Sequence, residues 1–473
     1  MTHAAGTHRS THAPHGAKDL LRPPRRRLRG GARQGLLAVL DQGVVGGTSF
    51  LTMIVVGRVA GADELGVFAL ALTFIFLAIA AEESLLTVPY TVFVRRLTGR
   101  AKAAFAGGTL IGCLALSLSL AAVVVLAAWI AYACGAPLPI ALVGFALAPA
   151  LVFWLVREAA RRCSYAEFRA GGSLAASAIV AVIQTAAIGW LAWGGRLSAV
   201  SALYAVALGN AAAGLGWLFV ARRQLSISRA EIVPALRRNW HLGRWMFAGQ
   251  AATTLGMYAL PWIVAIHAGT AGAGAFAACA SVMRLASPFL AALTNVVTPH
   301  AAQAFADGGA LAVRRVVRAA WWIACSLSGA FCLVVLVAGD WLLFQLFGMG
   351  YADYHVTLVL LAAALLASQA SLATGRGLIV LERSGDTLKA DLISSGFGLA
   401  TAALLAPTWG VAGAAAGALA GALIAAAVTG LYYLAAVRRH TGLSAARDLQ
   451  TVDVQHAQTS PLPALAHNPG EAV

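Results

Sequence analysis

Charge is scarce in this sequence. Only 11% of its 473 residues are Asp, Glu, Lys or Arg, against about 25% in a soluble globular domain, and that excludes an ordinary water-soluble fold. Lysine is rarer still: Lys18, Lys102 and Lys389 are the only three. None follows a glycine, so a GxxxxGK[ST] phosphate loop, and nucleotide hydrolysis by that route, is impossible. No HExxH zinc motif and no GxSxG nucleophile elbow occurs. Asp63, Glu64, Asp340 and Asp353 are scattered, without the DxD pair of a glycan transferase, so the chain is not expected to be an enzyme. The six cysteines, Cys113, Cys134, Cys163, Cys279, Cys325 and Cys332, form no CxxC pair, and no structural disulfide is expected.

What is present is hydrocarbon. Apolar residues make up 60% of the chain and arrive in runs of about 18–28, the length that crosses a bilayer as a helix. Twelve such runs can be read, at about 35–60, 66–94, 106–133, 138–157, 172–194, 199–221, 246–268, 273–298, 319–338, 355–381, 391–407 and 411–437. Backbone groups left unpaired in lipid cost several kcal/mol each, so the runs are helices. The expected fold is an all-α polytopic membrane protein.

The cations follow the runs. Of 34 Lys and Arg residues, all but Arg58, Arg196, Arg284 and Arg376 fall in the two tails or the even-numbered connections. Short cytoplasmic loops retain Lys and Arg, which predicts cytoplasmic N- and C-termini. A net charge of +16 spread over loop after loop fits lipid headgroups better than nucleic acid, and no nucleic-acid partner is expected. His3, His8, His12 and His15 read as tail residues and not as metal ligands.

A repeat is visible at an offset of about 208 residues. Arg29, Gly35, Gln42, Gly61, Gly66, Phe68 and Ala69 align without gaps on Arg237, Gly243, Gln250, Gly269, Gly274, Phe276 and Ala277. Six spans per half make the repeat parallel, with its axis along the membrane normal. The predicted division is a basic cytoplasmic tail at 1–34, a six-helix lobe at 35–221, an amphipathic linker at 222–245, a second six-helix lobe at 246–440, and a disordered tail at 441–473.

Ionisable groups within the bilayer are costly and normally face a cavity or a partner. Glu82 and Glu83 in the second span and Arg284 in the eighth are the leading candidates, with a structural ion pair between lobes as the alternative. Arg58 is placed near Asp63 and Glu64, as a headgroup anchor or a substrate contact. Gln42 and its counterpart Gln250 either bond between helices or line a cavity. His267, Asn295 and Arg376, with Gln184, Tyr258 and Gln369, are weaker lining candidates.

The stretches Gly35–Phe50 and Gly57–Leu70, with Arg58, Gly61, an acidic pair and then Gly66-Val-Phe-Ala, resemble the opening of bacterial polysaccharide exporters. These are the lipid-linked oligosaccharide flippases of the multidrug/oligosaccharidyl-lipid/polysaccharide superfamily. The resemblance is specific over about residues 35–95. It implies two bundles around a cationic, water-filled cavity, alternating access, and an undecaprenyl-diphosphate-linked glycan as cargo for exopolysaccharide, capsule or O-antigen assembly. Glycan polymerase and glycosyltransferases are the partners it implies. One departure from that pattern is the Glu82-Glu83 pair, which suits a rival in which acids bind a coupling ion, H+ or Na+, and the cavity takes cationic drugs. A third reading is a non-transporting scaffold for a glycan polymerase. No cofactor beyond such an ion is expected.

Overall fold

The computed structural model describes residues 25–94, 96–167, 170–222 and 229–459. Among them every regular element is helical: α1 (Arg25–Val59), α2 (Ala62–Glu82), a π turn (Glu83–Thr87), α3 (Val88–Val94), α4 (Gly99–Ala133), α5 (Leu138–Ala166), α6 (Ala170–Trp193), α7 (Ala199–Ala221), α8 (Arg229–Met283), α9 (Ser287–Phe347), α10 (His355–Val380) and α11 (Ser384–Thr459). Short 3-10 turns at Arg284–Ala286 and Met349–Tyr354 flank α9. The predicted basic tail lies outside the described residues except that α1 already begins at Arg25.

Glycines divide the longest helices. Gly269 (φ 72°) breaks α8, Gly308 and Gly309 break α9, and Gly410 (φ 55°) breaks α11. The left-handed region strains any side chain, so glycine is the residue that ends a helix there. With these breaks, and with the end of α8 and the start of α9 joined through the turn at Arg284–Ala286 into one crossing, the ten stretches long and apolar enough to cross a membrane become twelve spans, six on each side of the linker. The breaks at 269 and 410 fall where the apolar runs were predicted to end. At the start of α7, Ser198 and Ser201 form a reciprocal capping box, and Glu64 accepts the free backbone N–H of Ala199 at 2.6 Å, satisfying donors a helix leaves unpaired.

Two boundaries differ from the expectation. The fourth span continues as helix to Ala166, so Arg157, Arg161 and Arg162, read as loop residues, lie on α5. Past residue 441, where a disordered tail was expected, α11 continues to Thr459; its Ala, Leu, Arg and Gln content favours helix over coil.

The apolar core shows how the halves meet. One large cluster joins Val56, Leu65 and Phe68 of the first half to Ala273, Phe276, Leu343 and Phe347 of the second. These residues lie toward the charge-poor end of the bundle. Toward the end that carries the cationic loops the cores are separate, with Val313, Val317, Leu378 and Tyr433 in the second half and Tyr90 and Phe105 in the first. Among the described residues the two halves share one core toward the charge-poor end, while toward the cationic end Ala235 and Leu236 of α8 pack on the first lobe.

Candidate substrate cavity and the closure at its far end

The seal is built from the repeat itself. A Cβ on Gly66 of α2 would lie 1.9 Å from the Thr270 carbonyl oxygen, and a Cβ on Gly274 of α8 would lie 1.9 Å from that of Ala62. Ala62 and Thr270 are themselves partners at the 208-residue offset. The two helices therefore cross at a pseudo-two-fold point, backbone against backbone, which only glycine permits. Around it, the Thr270 hydroxyl donates to Asp63 at 2.5 Å, the Tyr351 hydroxyl donates to the Gly57 carbonyl at 3.2 Å, and the Arg58 guanidinium donates to the Gln345 carbonyl at 2.5 Å. Arg58 was expected beside Asp63 and Glu64. Instead it crosses to α9, because Asp63 is engaged by Thr270 and Glu64 caps α7.

Arg284 sits where α8 tightens into its 3-10 turn, and it is exposed. Tyr258 lies near it, and the Tyr258 ring stacks on Phe76 of α2 with centroids 5.3 Å apart. Trp262 of α8 donates to Thr73 of α2 at 2.9 Å and meets Phe74 edge to face. Arg284 thus stands beside the contact between lobes. Among the described residues it has no acidic partner, so the predicted pair with Glu82 or Glu83 is not formed here.

Both acids lie in the first lobe, Glu83 paired there and Glu82, expected to line a cavity, buried instead. Successive helical residues diverge by about 100°, and the two carboxyls part accordingly. Glu83 reaches Arg162 at 2.9 Å. Glu82 is 1% exposed, its oxygens accept no hydrogen bond, and it lies beside Cys113 near an apolar cluster of Leu86, Cys113 and Ala159. The remaining candidates do not converge. Gln42, Gln250 and His267 are exposed at different heights, and Gln250 also bonds to Thr254 of its own helix at 3.3 Å. Arg376 is half-buried on α10, and the Asn295 side chain lies outside the described residues. Gln184 is buried and ties α6 to Thr52 of α1 at 2.8 Å.

The charged cluster that the sequence reading missed is on α5. Glu158 accepts Arg157 at 3.2 Å, Arg161 at 2.8 and 3.0 Å, and Arg162 at 3.1 Å. Arg161 continues to Asp41 of α1 at 3.2 Å, and the same Asp41 oxygen accepts Tyr165 and Ser173. Arg157 reaches Asn210 of α7 at 3.1 Å. Three guanidiniums and the carboxylates of Glu158, Asp41 and Glu83 thus balance, and bind α1, α5, α6, α7 and the π turn into one body. The signal available was Arg-Glu-x-x-Arg-Arg at helical i, i+3 and i+4 spacing, with no Gly or Pro between Ala150 and Ala166 to end the helix.

No protein-family model and no curated protein sequence matches the chain. Solved structures do. A multidrug resistance MATE-family transporter of the MOP superfamily in its inward-facing conformation superposes with a TM-score of 0.71 at 17% identity, over 86% of this chain and 99% of that one. A MOP-superfamily transporter from Pyrococcus furiosus, described as having a binding pocket of reversed polarity, gives 0.62 at 16% identity over 87% and 96%. An outward-facing MATE-family transporter gives 0.61 at 14% identity, again over 87% and 96%. The chain has the twelve-helix, two-repeat fold of MATE-family transporters of the MOP superfamily.

Proposed function

We propose that the protein is an alternating-access transporter of an anionic lipid-linked oligosaccharide across a bacterial inner membrane, with the cationic end cytoplasmic. The observation that carries this reading is Arg284, an exposed guanidinium without an acidic partner among the described residues, held beside the meeting of the two lobes. A guanidinium stays protonated and forks two hydrogen bonds to phosphate oxygens, which suits the diphosphate of a polyprenyl-linked glycan. With the cationic end cytoplasmic, the cargo would enter from the face where such a lipid is assembled. Exopolysaccharide, capsule or O-antigen synthesis would supply the cargo, and a glycan polymerase would consume it.

The rival is a cation-coupled multidrug exporter, since two of the fold neighbours are multidrug resistance transporters. A cationic drug needs an available carboxylate or an aromatic face. Among the described residues near the π turn, Glu83 is paired with Arg162 and Glu82 is buried away from the cavity. That supports the anionic cargo.

Deletion of the gene separates the two. Surface polysaccharide is expected to stop while lipid-linked repeat units accumulate facing the cytoplasm, with drug tolerance unchanged; intact polymer together with new sensitivity to cationic dyes would establish the exporter instead. Arg284 gives the residue-level test. Hydrogen bonds to charged groups are worth about 1.5–3 kcal/mol, so Arg284→Ala is expected to lower export roughly 10- to 100-fold at normal expression. Arg284→Lys should retain an intermediate rate, since an ammonium keeps the charge but not the fork. Export at the wild-type rate in both variants would remove Arg284 from the substrate path.

A further inference from the structure

A second cationic feature lies outside the face between the lobes, on the first turns of α8. One side of that helix is seated on the first lobe: Leu236 packs on Gly112, Gly243 rests against the backbone of Ser84 and Leu85 in the π turn, and Asn239 donates to Thr109 at 3.0 Å. With its inner face fixed, the helix presents the other outward. There, a groove of about 630 Å³ runs between α8 and Phe93 of α3. Its rim holds Arg237, Arg238 and His241, all exposed, and its floor holds Phe93, Val233 and Leu242. The Arg238 guanidinium lies over the Phe93 ring at 4.2 Å, and among the described residues no acidic side chain lines the groove.

The two halves of this surface ask for different things. Adjacent guanidiniums and an imidazole call for an anion with several oxygens, which each fork can grip twice. A wet floor with Val233 66% exposed calls for hydrocarbon, because covering apolar surface stabilises by about 25 cal/mol per Å². A soluble phosphate satisfies only the rim. A zwitterionic lipid brings a cation of its own to it. An anionic lipid satisfies both, and the groove lies at the cationic end of the bundle, where the leaflet that would deliver such a lipid meets the protein.

We propose that this groove is a loading site for the phosphate-bearing head of the cargo lipid, engaged by Arg237 and Arg238 before the lipid passes between the lobes. The inference rests on the transport reading for the identity of the lipid. The helix it uses is the one seated on the π turn of α2, so occupancy of the groove bears on the helix that forms the seal at its other end.

The test uses the full chain in phosphatidylcholine nanodiscs, with undecaprenyl diphosphate, undecaprenol, inorganic pyrophosphate and phosphatidylglycerol as probes and bound lipid counted by native mass spectrometry. Undecaprenyl diphosphate is expected to bind, undecaprenol and pyrophosphate at least tenfold more weakly. The double variant Arg237→Gln, Arg238→Gln should lose binding at least tenfold, and the uncharged Val233→Asn should weaken undecaprenyl diphosphate while leaving pyrophosphate unchanged. Unaltered lipid binding in the double variant would overturn the proposal. So would equal competition by phosphatidylglycerol, which would make the groove a contact for bulk anionic lipid. The site and the transport reading fail separately: a deletion strain with normal polysaccharide removes the proposed cargo's pathway, yet the binding difference between wild type and double variant would stand.

Discussion

Gly66→Ala and Gly274→Ala are each expected to cut transport to below about a tenth of wild type, because either methyl prevents the seal from closing. The added carbon would meet a backbone carbonyl oxygen at 1.9 Å, Thr270 in one case and Ala62 in the other. A backbone atom cannot swing aside as a long side chain does, so the helices must move apart by more than an ångström. That separation also removes the Thr270 to Asp63 hydrogen bond and loosens Tyr351 on Gly57. Such a change acts on one state only. The form open at the cationic end loses stability, whereas the opposite form, in which α2 and α8 part at this point, is untouched. Cysteines introduced by Ala62→Cys and Thr270→Cys should cross-link readily in an otherwise wild-type chain and poorly with Gly66→Ala. Efficient cross-linking together with normal export would show that the crossing is not the gate.

The sequence located these glycines before it could say what they do. Gly61 and Gly66 matched Gly269 and Gly274 at a constant offset, and helix breaks at Gly269 and Gly410 followed from apolar run lengths, since run length is a local property. That Gly66 and Gly274 meet each other is not local, because symmetry-related positions need touch only when they lie on the axis. Arg284 was legible as a deep cation, but its predicted partners were not: Glu82 and Glu83 differ by one position, and a π turn decides which faces Arg162 and which is buried. The α5 arginines were misread for a different reason. Charge was taken as a sign of loop, whereas Glu158 neutralises three guanidiniums from within the same helix, and a balanced cluster can stay inside the bundle.

That cluster carries the second large effect, on stability. Glu158→Ala is expected to cost the first lobe about 3–5 kcal/mol, the usual consequence of removing one partner from a buried charge pair. The glutamate side chain is 7% exposed and Arg157 3%, so neither solvent nor lipid replaces the lost carboxylate. Arg161 keeps Asp41, but Arg157 is left with only the neutral Asn210. Unfolding of the purified protein in mixed micelles should show the loss directly, and Arg162→Gln should cost less, since that side chain is 30% exposed. A double-mutant cycle between Asp41→Asn and Arg161→Gln should return a coupling of roughly 0.5–3 kcal/mol; additive losses would mean the two act independently, and a Glu158→Ala variant as stable as wild type would show that packing alone holds the lobe. On the transport reading the arrangement matters because a lobe swinging about a glycine crossing would have to move as one piece. The salt-bridged helices α1, α5, α6 and α7 supply that rigidity, so a chain weakened at Glu158 should lose export in proportion to its loss of folded protein, whereas one blocked at Gly66 should lose export while fully folded.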